Sequence, residues 1–324
     1  MEKSVRTALT AVGVTAAAAA AIAGASEMLT QSLVHEALDR VEPKLLGSAV
    51  NRTVEDTVRA EVRKRSGEHA RCLRQIRTER VEIIGRDGTR LVGHWRQCEK
   101  EKRIVIAMHG WRSSWDWDFG ASADFWQDAG CSVLYAEQRG QGESGGEYMG
   151  FGMIERYDCL EWVNWVNGRT AEKKRIYLAG ISMGASTVLM AAGLDLPENV
   201  RGIMADCGFT SPKAIWKYVM ERNLRIPYGL CEKRVEDICM RRLKCGSGEC
   251  STLDALKNCR VPVLFIHGEA DEFVPIGMTL QNFDACAAPK RILTVPGAGH
   301  AVSFLTAPAL YKKTVLDFWK EFDG

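Results

Sequence analysis

The chain has 324 residues, 46% hydrophobic and 26% charged, globular proportions that leave room for one large α/β domain with appendages and give no sign of a long disordered tract. Lysine and arginine total 43 against 41 aspartate and glutamate, a formal net charge of +2, so no electrostatic surplus points to nucleic acid or to a strongly acidic partner. Cysteine occurs eleven times, an odd number, so at least one thiol is free unless it pairs between chains.

Lys3 and Arg6 precede an uncharged stretch, residues 7–26, about the length of a bilayer-spanning helix. Read as a signal anchor (residues 1–26), it keeps the basic N-terminus inside and makes a single-pass membrane protein whose remaining chain lies outside the cytoplasm. A cleaved signal peptide with Ala23-Gly-Ala25 as its small-residue site is one alternative, and a soluble alanine-rich helix is another, because alanine inserts only marginally. From residue 27 to 76 apolar residues recur at three- and four-residue spacing (Leu29, Leu33, Leu38, Val41) among many charges, with a break near Glu42-Pro43. This predicts amphipathic helices, either packed on the following domain or forming a stalk.

The domain proper spans 77–324. Val81-Glu-Ile-Ile-Gly and Thr89-Arg-Leu-Val-Gly-His-Trp95 flank Asp87-Gly88 and predict a hairpin. Runs at 103–108, 131–136, 175–179, 202–205, 261–266 and 291–295 are continuously apolar and alternate with helical stretches, the last from about Ala309 to Phe322. Such runs predict a mostly parallel sheet covered by helices on both faces, with chemistry at the carboxyl ends of its strands. More than fifty residues separate Asp206 from Val261, too many for an ordinary connection. A helical insertion at about 211–255 is therefore expected to act as a lid. Cysteines 231, 239, 245, 250 and 259 lie in or beside it without zinc-like spacing or a nearby histidine, which favours disulfides or free thiols over metal.

Gly180-Ile-Ser-Met-Gly184 joins one of these runs to a helix-compatible stretch, placing Ser182 at the apex of a sharp strand-to-helix turn. A serine hydroxyl needs a base to take its proton and a carboxylate to orient that base. His300, in the glycine-rich loop Pro296-Gly-Ala-Gly-His300, and Asp271, in His267-Gly-Glu-Ala-Asp271, follow two later strands and supply both. Asp206, Glu269 and Glu272 compete for the acid role, Asp206 ranking second because it too sits at a strand end. His267 reads as a structural hydrogen-bonding residue. The backbone N–H groups of Trp111, in His109-Gly-Trp111, and of Met183 are the expected oxyanion hole. No motif calls for a cofactor or a metal.

Taken in order, His109-Gly-Trp-Arg-Ser-Ser114, Arg139-Gly-Gln-Gly-Glu-Ser144, Gly180-Ile-Ser-Met-Gly184, Asp206-Cys-Gly-Phe-Thr-Ser211, His267-Gly-x-x-Asp271 and Gly297-Ala-Gly-His300 resemble the α/β-hydrolases from about Val81 onward. They are especially similar to a bacterial, membrane-anchored serine hydrolase subgroup. The chain has Glu137 where such relatives usually carry Asp, and Gln141 where they often carry His. The resemblance implies an acyl-enzyme on Ser182 and hydrolysis of a carboxylic ester, with Ile215, Trp216, Tyr218, Leu224 and Ile226 of the insertion available to line an acyl pocket. The alternatives are a serine peptidase of the aminopeptidase type, with Glu221, Glu232 or Glu236 to hold a substrate amine, and a non-catalytic binding protein on the same scaffold.

Overall fold

The structure, a computed structural model, describes residues 24, 27–41, 43–44, 56–169 and 172–323. The expected membrane segment falls on residues 1–26 and, apart from residue 24, lies outside them. Among the described residues no helix is long and apolar enough to cross a membrane.

Among the described residues two helices come first, α1 (residues 27–38) and α2 (Asp56–Gln75). The hairpin follows as β1 (Glu79–Ile84) and β2 (Arg90–Arg96), paired antiparallel. Then come β3 (Arg103–Met108), the short α3 (Trp115–Phe119) and α4 (Ala123–Asp128), β4 (Cys131–Ala136), α5 (Glu155–Arg169), β5 (Ile176–Ile181), α6 (Met183–Ala191) and β6 (Val200–Asp206). The eight strands, completed by β7 (Val263–Gly268) and β8 (Lys290–Val295), are ordered β1-β2-β4-β3-β5-β6-β7-β8. All pairings from β4 to β8 are parallel, and β2 joins β4 antiparallel.

The interior parallel strands are mostly apolar and buried because both faces are covered, whereas the edge strand β8 is only partly buried. In β3, Ile104, Ile106 and Met108 enter one core with α5 and α6, while Val105 and Ala107 enter the opposite core with Leu73 of α2, Trp115 of α3, Trp126 of α4 and the C-terminal helix (Pro308–Phe322). Of the two expected roles for 27–76, the helices described there pack on the domain: a Cβ at Gly120 would lie 2.7 Å from the backbone of His69 in α2.

Segment 207–262 carries α7 (Pro212–Tyr218), a π-helical turn (Val219–Leu224), a 3-10 turn (Tyr228–Leu230), α8 (Glu232–Leu243) and α9 (Thr252–Lys257). Ser211 starts α7 by accepting the Ala214 N–H at 3.1 Å, with Pro212 supplying a pre-set first-turn geometry. Helices α7 and α8 join α1, Phe151 and Met183 in a third apolar cluster above the carboxyl ends of the strands. Helix α9 belongs elsewhere, because Leu256 is buried in the sheet-side core. The inserted cluster therefore ends before α9, slightly short of the expected boundary at 255.

Candidate active site

Ser182 occupies the single residue between β5 and α6, at φ 54° and ψ −114°. That conformation is unfavourable for a residue with a side chain and is held by its surroundings. Ser182 donates its N–H to the Asp206 carbonyl at 2.8 Å, and its carbonyl accepts from Ser186 N–H at 3.0 Å. Glycine is obligatory on either side: a Cβ at Gly184 would sit 1.9 Å from the Met108 carbonyl oxygen, and one at Gly180 would sit 2.2 Å from that of Gly184. The turn thus presses the serine against the loop that follows β3.

Ser182 Oγ lies 2.9 Å from His300 Nε2, and His300 Nδ1 lies 2.7 Å from Asp271 Oδ2. Asp271 is buried and accepts the N–H groups of Phe273 and Val274 on Oδ1, both at 2.9 Å, so its carboxylate is fixed at both oxygens. His267 Nε2 lies 3.3 Å from Asp271 Oδ2 while its ring bonds the Val274 carbonyl and the Thr279 hydroxyl. Burial alone would raise the Asp271 pKa, but His300 and His267 beside it hold it well below the ordinary carboxylate value. Burial would lower the His300 pKa, and the Asp271 carboxylate outweighs this, raising it well above the ordinary histidine value.

The other carboxylates are engaged elsewhere. Asp206 is buried and accepts from Ser303 Oγ at 2.9 Å, with its pKa pushed up to about 6 by burial. Glu269 accepts from Thr294 Oγ1 at 2.8 Å, and Glu272 is exposed. His109 is buried and faces away from proton-transfer duty. Its Nε2 accepts the Gln138 N–H at 3.1 Å, so Nδ1 carries the proton and donates to the Gly110 carbonyl at 2.9 Å. Burial lowers its pKa and keeps the ring neutral.

Met183 opens α6, so its N–H has no acceptor within the helix. Trp111 follows Gly110, whose own N–H donates to Asp118 Oδ2 at 2.6 Å. Among the described residues neither the Trp111 nor the Met183 N–H has a protein acceptor. The Trp111 indole donates to the Ala37 carbonyl of α1 at 2.9 Å, and Arg112 Nη2 donates to the carbonyls of Glu36 at 2.5 Å and Asp39 at 2.7 Å.

Two cavities flank this arrangement. One, about 60 Å³, is walled by apolar and aromatic side chains, among them Leu33, Val34, Trp111, Phe151, Ile215 and Phe273. The other, about 830 Å³, opens beside His300 and is bordered by Arg63, Arg65, Asp118, Glu272 and Phe304, with Phe273 common to both. Phe273 meets the His300 ring edge-on at 4.9 Å between centroids. Of the insertion residues expected at an acyl pocket, Ile215 and Trp216 line the smaller cavity, whereas Tyr218, Leu224 and Ile226 pack within the surrounding cluster.

Several neighbours of the site were not evident in the sequence. Cys207 is buried with its thiol beside the histidine, its potential ligand atom and those of Asp271 and His300 all within 4.8 Å of one another. Burial pushes that thiol up to about 11, so it stays protonated. Asp118, Arg112 and Phe273 were missed as well. One signal is conformational: five of the seven non-glycine residues with positive φ among those described, Arg112, Phe151, Ser182, Cys207 and Ala301, surround the site, where backbone strain tends to collect.

The unusual Glu137 is structural. It is buried, bonds His94 Nε2 at 2.8 Å and accepts the Glu143 N–H, tying down the loop of the Arg139 motif. Gln141 is buried with both side-chain polar atoms unpaired among the described residues. In the insertion, Glu232 pairs with Lys213, Glu236 accepts Ser247 N–H at 2.8 Å, and Glu221 accepts Tyr228 N–H at 3.4 Å. The eleven thiols are unbridged, with Cys245 and Cys250 Sγ atoms 2.8 Å apart.

The model of the prolyl oligopeptidase family matches residues 117–323. The protein YqkD of Bacillus subtilis (strain 168) is 30% identical over 195 residues, covering 59% of this chain and 63% of its own length, so the match spans less than two thirds of that relative. The esterase Pf2001 of Pyrococcus furiosus superposes with a TM-score of 0.63 at 23% identity, over 76% of this chain and 92% of its own. An acylaminoacyl peptidase of Pyrococcus horikoshii does so with a TM-score of 0.56 at 16% identity, over 78% and 43%. At these identities the two structures speak for the fold alone.

Proposed function

This chain belongs to the prolyl oligopeptidase family and is a serine hydrolase of α/β-hydrolase fold, and on that premise we propose that it cleaves carboxylic esters through an acyl-enzyme on Ser182. His300 Nε2 takes the Ser182 proton as Oγ attacks the carbonyl carbon, and Asp271 holds the Nδ1–H and stabilises the imidazolium that forms. The N–H groups of Met183 and Trp111 receive the oxyanion, each such donor being worth roughly 2.7–4 kcal/mol in the transition state. Collapse breaks the carbon–oxygen bond, and His300 passes its proton to the departing alcohol. Water then repeats the sequence on the acyl-serine. The observation that carries this reading is the unbroken line of hydrogen bonds from Ser182 through His300 to Asp271. No cofactor or metal enters the sequence of steps.

The ester reading rests on the cavity beside Trp111, which is apolar and, among the described residues, presents no carboxylate for a substrate amine. The aminopeptidase-type alternative is favoured by the family's peptidase members and by the P. horikoshii neighbour. Against it, the insertion's Glu232 and Glu236 are already paired with Lys213 and Ser247. The inserted helices and α1 act as the lid. The charge bias of Lys3 and Arg6 supports a tethered enzyme whose hydrolase domain lies outside the cytoplasm.

A fluorophosphonate probe tests the proposal directly. Stoichiometric labelling of the purified protein, lost in Ser182→Ala, is the expected result; an unlabelled folded protein would reject an activated Ser182. Turnover of p-nitrophenyl esters above that of aminoacyl anilides would separate the ester reading from its alternative.

A further inference from the structure

The apolar cavity beside Trp111 is not built by the hydrolase domain alone. Leu33, Val34, Ala37 and Leu38 of α1 are buried and form one wall of it, opposite Ile215 and Val219 of the insertion. Helix α1 is fixed there at both ends. Glu27 pairs with Arg234 at 2.6 Å, and at the other end Asp39 pairs with Arg242 at 2.6 Å while Met149 N–H donates to the Leu38 carbonyl at 2.8 Å. The carbonyls at its C-terminal end, which a helix leaves without internal partners, are taken by the Trp111 indole and the Arg112 guanidinium, from the loop whose Gly110 lies against Ser182. A cationic side chain there also suits the negative end of the helix dipole.

Resting on the ester reading above, we infer that α1 completes the acyl pocket and that Leu33 and Val34 set the length of acyl chain the enzyme accepts. The cavity is walled by Phe273, whose ring meets His300 edge-on, by Trp111, which follows the Gly110 whose Cβ would lie 3.4 Å from Ser182 Cβ, and by α1, so the acyl group of an ester bound at Ser182 extends with its tail against that helix. Its volume, about 60 Å³, holds roughly four to six water-sized groups. The substrate class is therefore an ester of a short, unbranched fatty acid. The alcohol portion departs on the His300 side, where the larger cavity opens.

The test uses the full chain and p-nitrophenyl acetate, butyrate, hexanoate and decanoate. The wild-type kcat/KM should peak at butyrate or hexanoate. Leu33→Ala enlarges the pocket and should raise the decanoate-to-butyrate ratio about tenfold or more. Val34→Phe fills it and should lower the hexanoate-to-acetate ratio by a similar factor, since one methylene in a fitted apolar pocket is typically worth tenfold or more in kcat/KM. Each variant is checked for a cooperative unfolding transition, and if Val34→Phe fails to fold, Leu33→Ala alone decides. Ratios unchanged in folded protein that hydrolyses esters would overturn this inference and leave the ester reading standing. Absence of turnover on every ester would overturn both.

Discussion

Asp271 and His300 share a 2.7 Å hydrogen bond in which the carboxylate is buried and the imidazole is partly open to the cavity beside it. The pair favours the charged form of each partner. Because His300 must be neutral to accept the Ser182 proton, kcat/KM should rise with pH through an apparent pKa above the ordinary histidine value. In Asp271→Asn the stabilising charge is gone, so the midpoint should fall toward or below that value. A pH–rate profile with the same midpoint in both proteins would reject His300 as the base.

Ser182→Ala should abolish ester turnover, by a factor on the order of 10⁶, and His300→Ala should be nearly as severe, with the double variant scarcely worse. Asp271→Asn should cost on the order of 10⁴ in kcat. Asp206→Asn should cost far less, because Asp206 bonds Ser303 and not the histidine. A greater loss from Asp206→Asn than from Asp271→Asn, measured on p-nitrophenyl butyrate, would exchange the two assignments.

Gly184→Ala places a methyl group 1.9 Å from the Met108 carbonyl oxygen, a contact between two backbones with no flexible side chain to yield. Expression of soluble, cooperatively unfolding protein should be lost or the unfolding midpoint sharply lowered. Circular dichroism during thermal unfolding reads this, and a wild-type melting curve would contradict the close approach of α6 to β3.

Arg139 is buried and bonds both oxygens of the equally buried Asp158, at 2.6 Å each, with Asp87 on its outer side. Replacing it by methionine leaves the Asp158 charge buried without its partner. Loss of one member of such a pair typically costs about 3–5 kcal/mol. Urea unfolding should show a lower midpoint at an unchanged slope, and the double variant Arg139→Met/Asp158→Leu should recover much of the loss.

Protease added to intact spheroplasts should cleave the hydrolase domain if residues 7–26 anchor it outside the cytoplasm. In that setting Cys245 and Cys250, whose sulfurs are 2.8 Å apart, should be blocked to alkylation until reduced. Protection of the domain until lysis would reverse the topology and remove the reason to expect the bridge.

The strands and their order of appearance were legible because the interior parallel strands are buried on both faces and leave nearly continuous apolar runs, and the edge strand β8 keeps Leu293 and Val295 buried. The residues of the Ser182, Asp271 and His300 line were legible for a related reason: each follows such a run, and a parallel sheet brings the ends of its strands to one side. What periodicity could not supply was the partner of an apolar face. The spacing of Leu33 and Leu38 marks a buried stripe on α1 without indicating that it rests on Trp111 and the inserted helices. Cys207 was hidden differently. It was visible as the residue after Asp206, but its approach to His300 depends on a positive φ of 50°, a backbone choice that a cysteine does not advertise.

The pairing of Asp39 with Arg242 joins residues 203 positions apart in the chain. During synthesis the helix that carries Arg242 follows α1 by about two hundred residues. At roughly 5–20 residues per second the interval is about 10–40 s. For that time the apolar stripe of α1 lacks the inserted helices that complete its cover, and the late closure of so distant a contact slows the final step of folding. The nascent chain is thus most exposed to aggregation through the segment that finishes its active site, and chaperone dependence should fall when α1 is made less apolar at the expense of the pocket it builds.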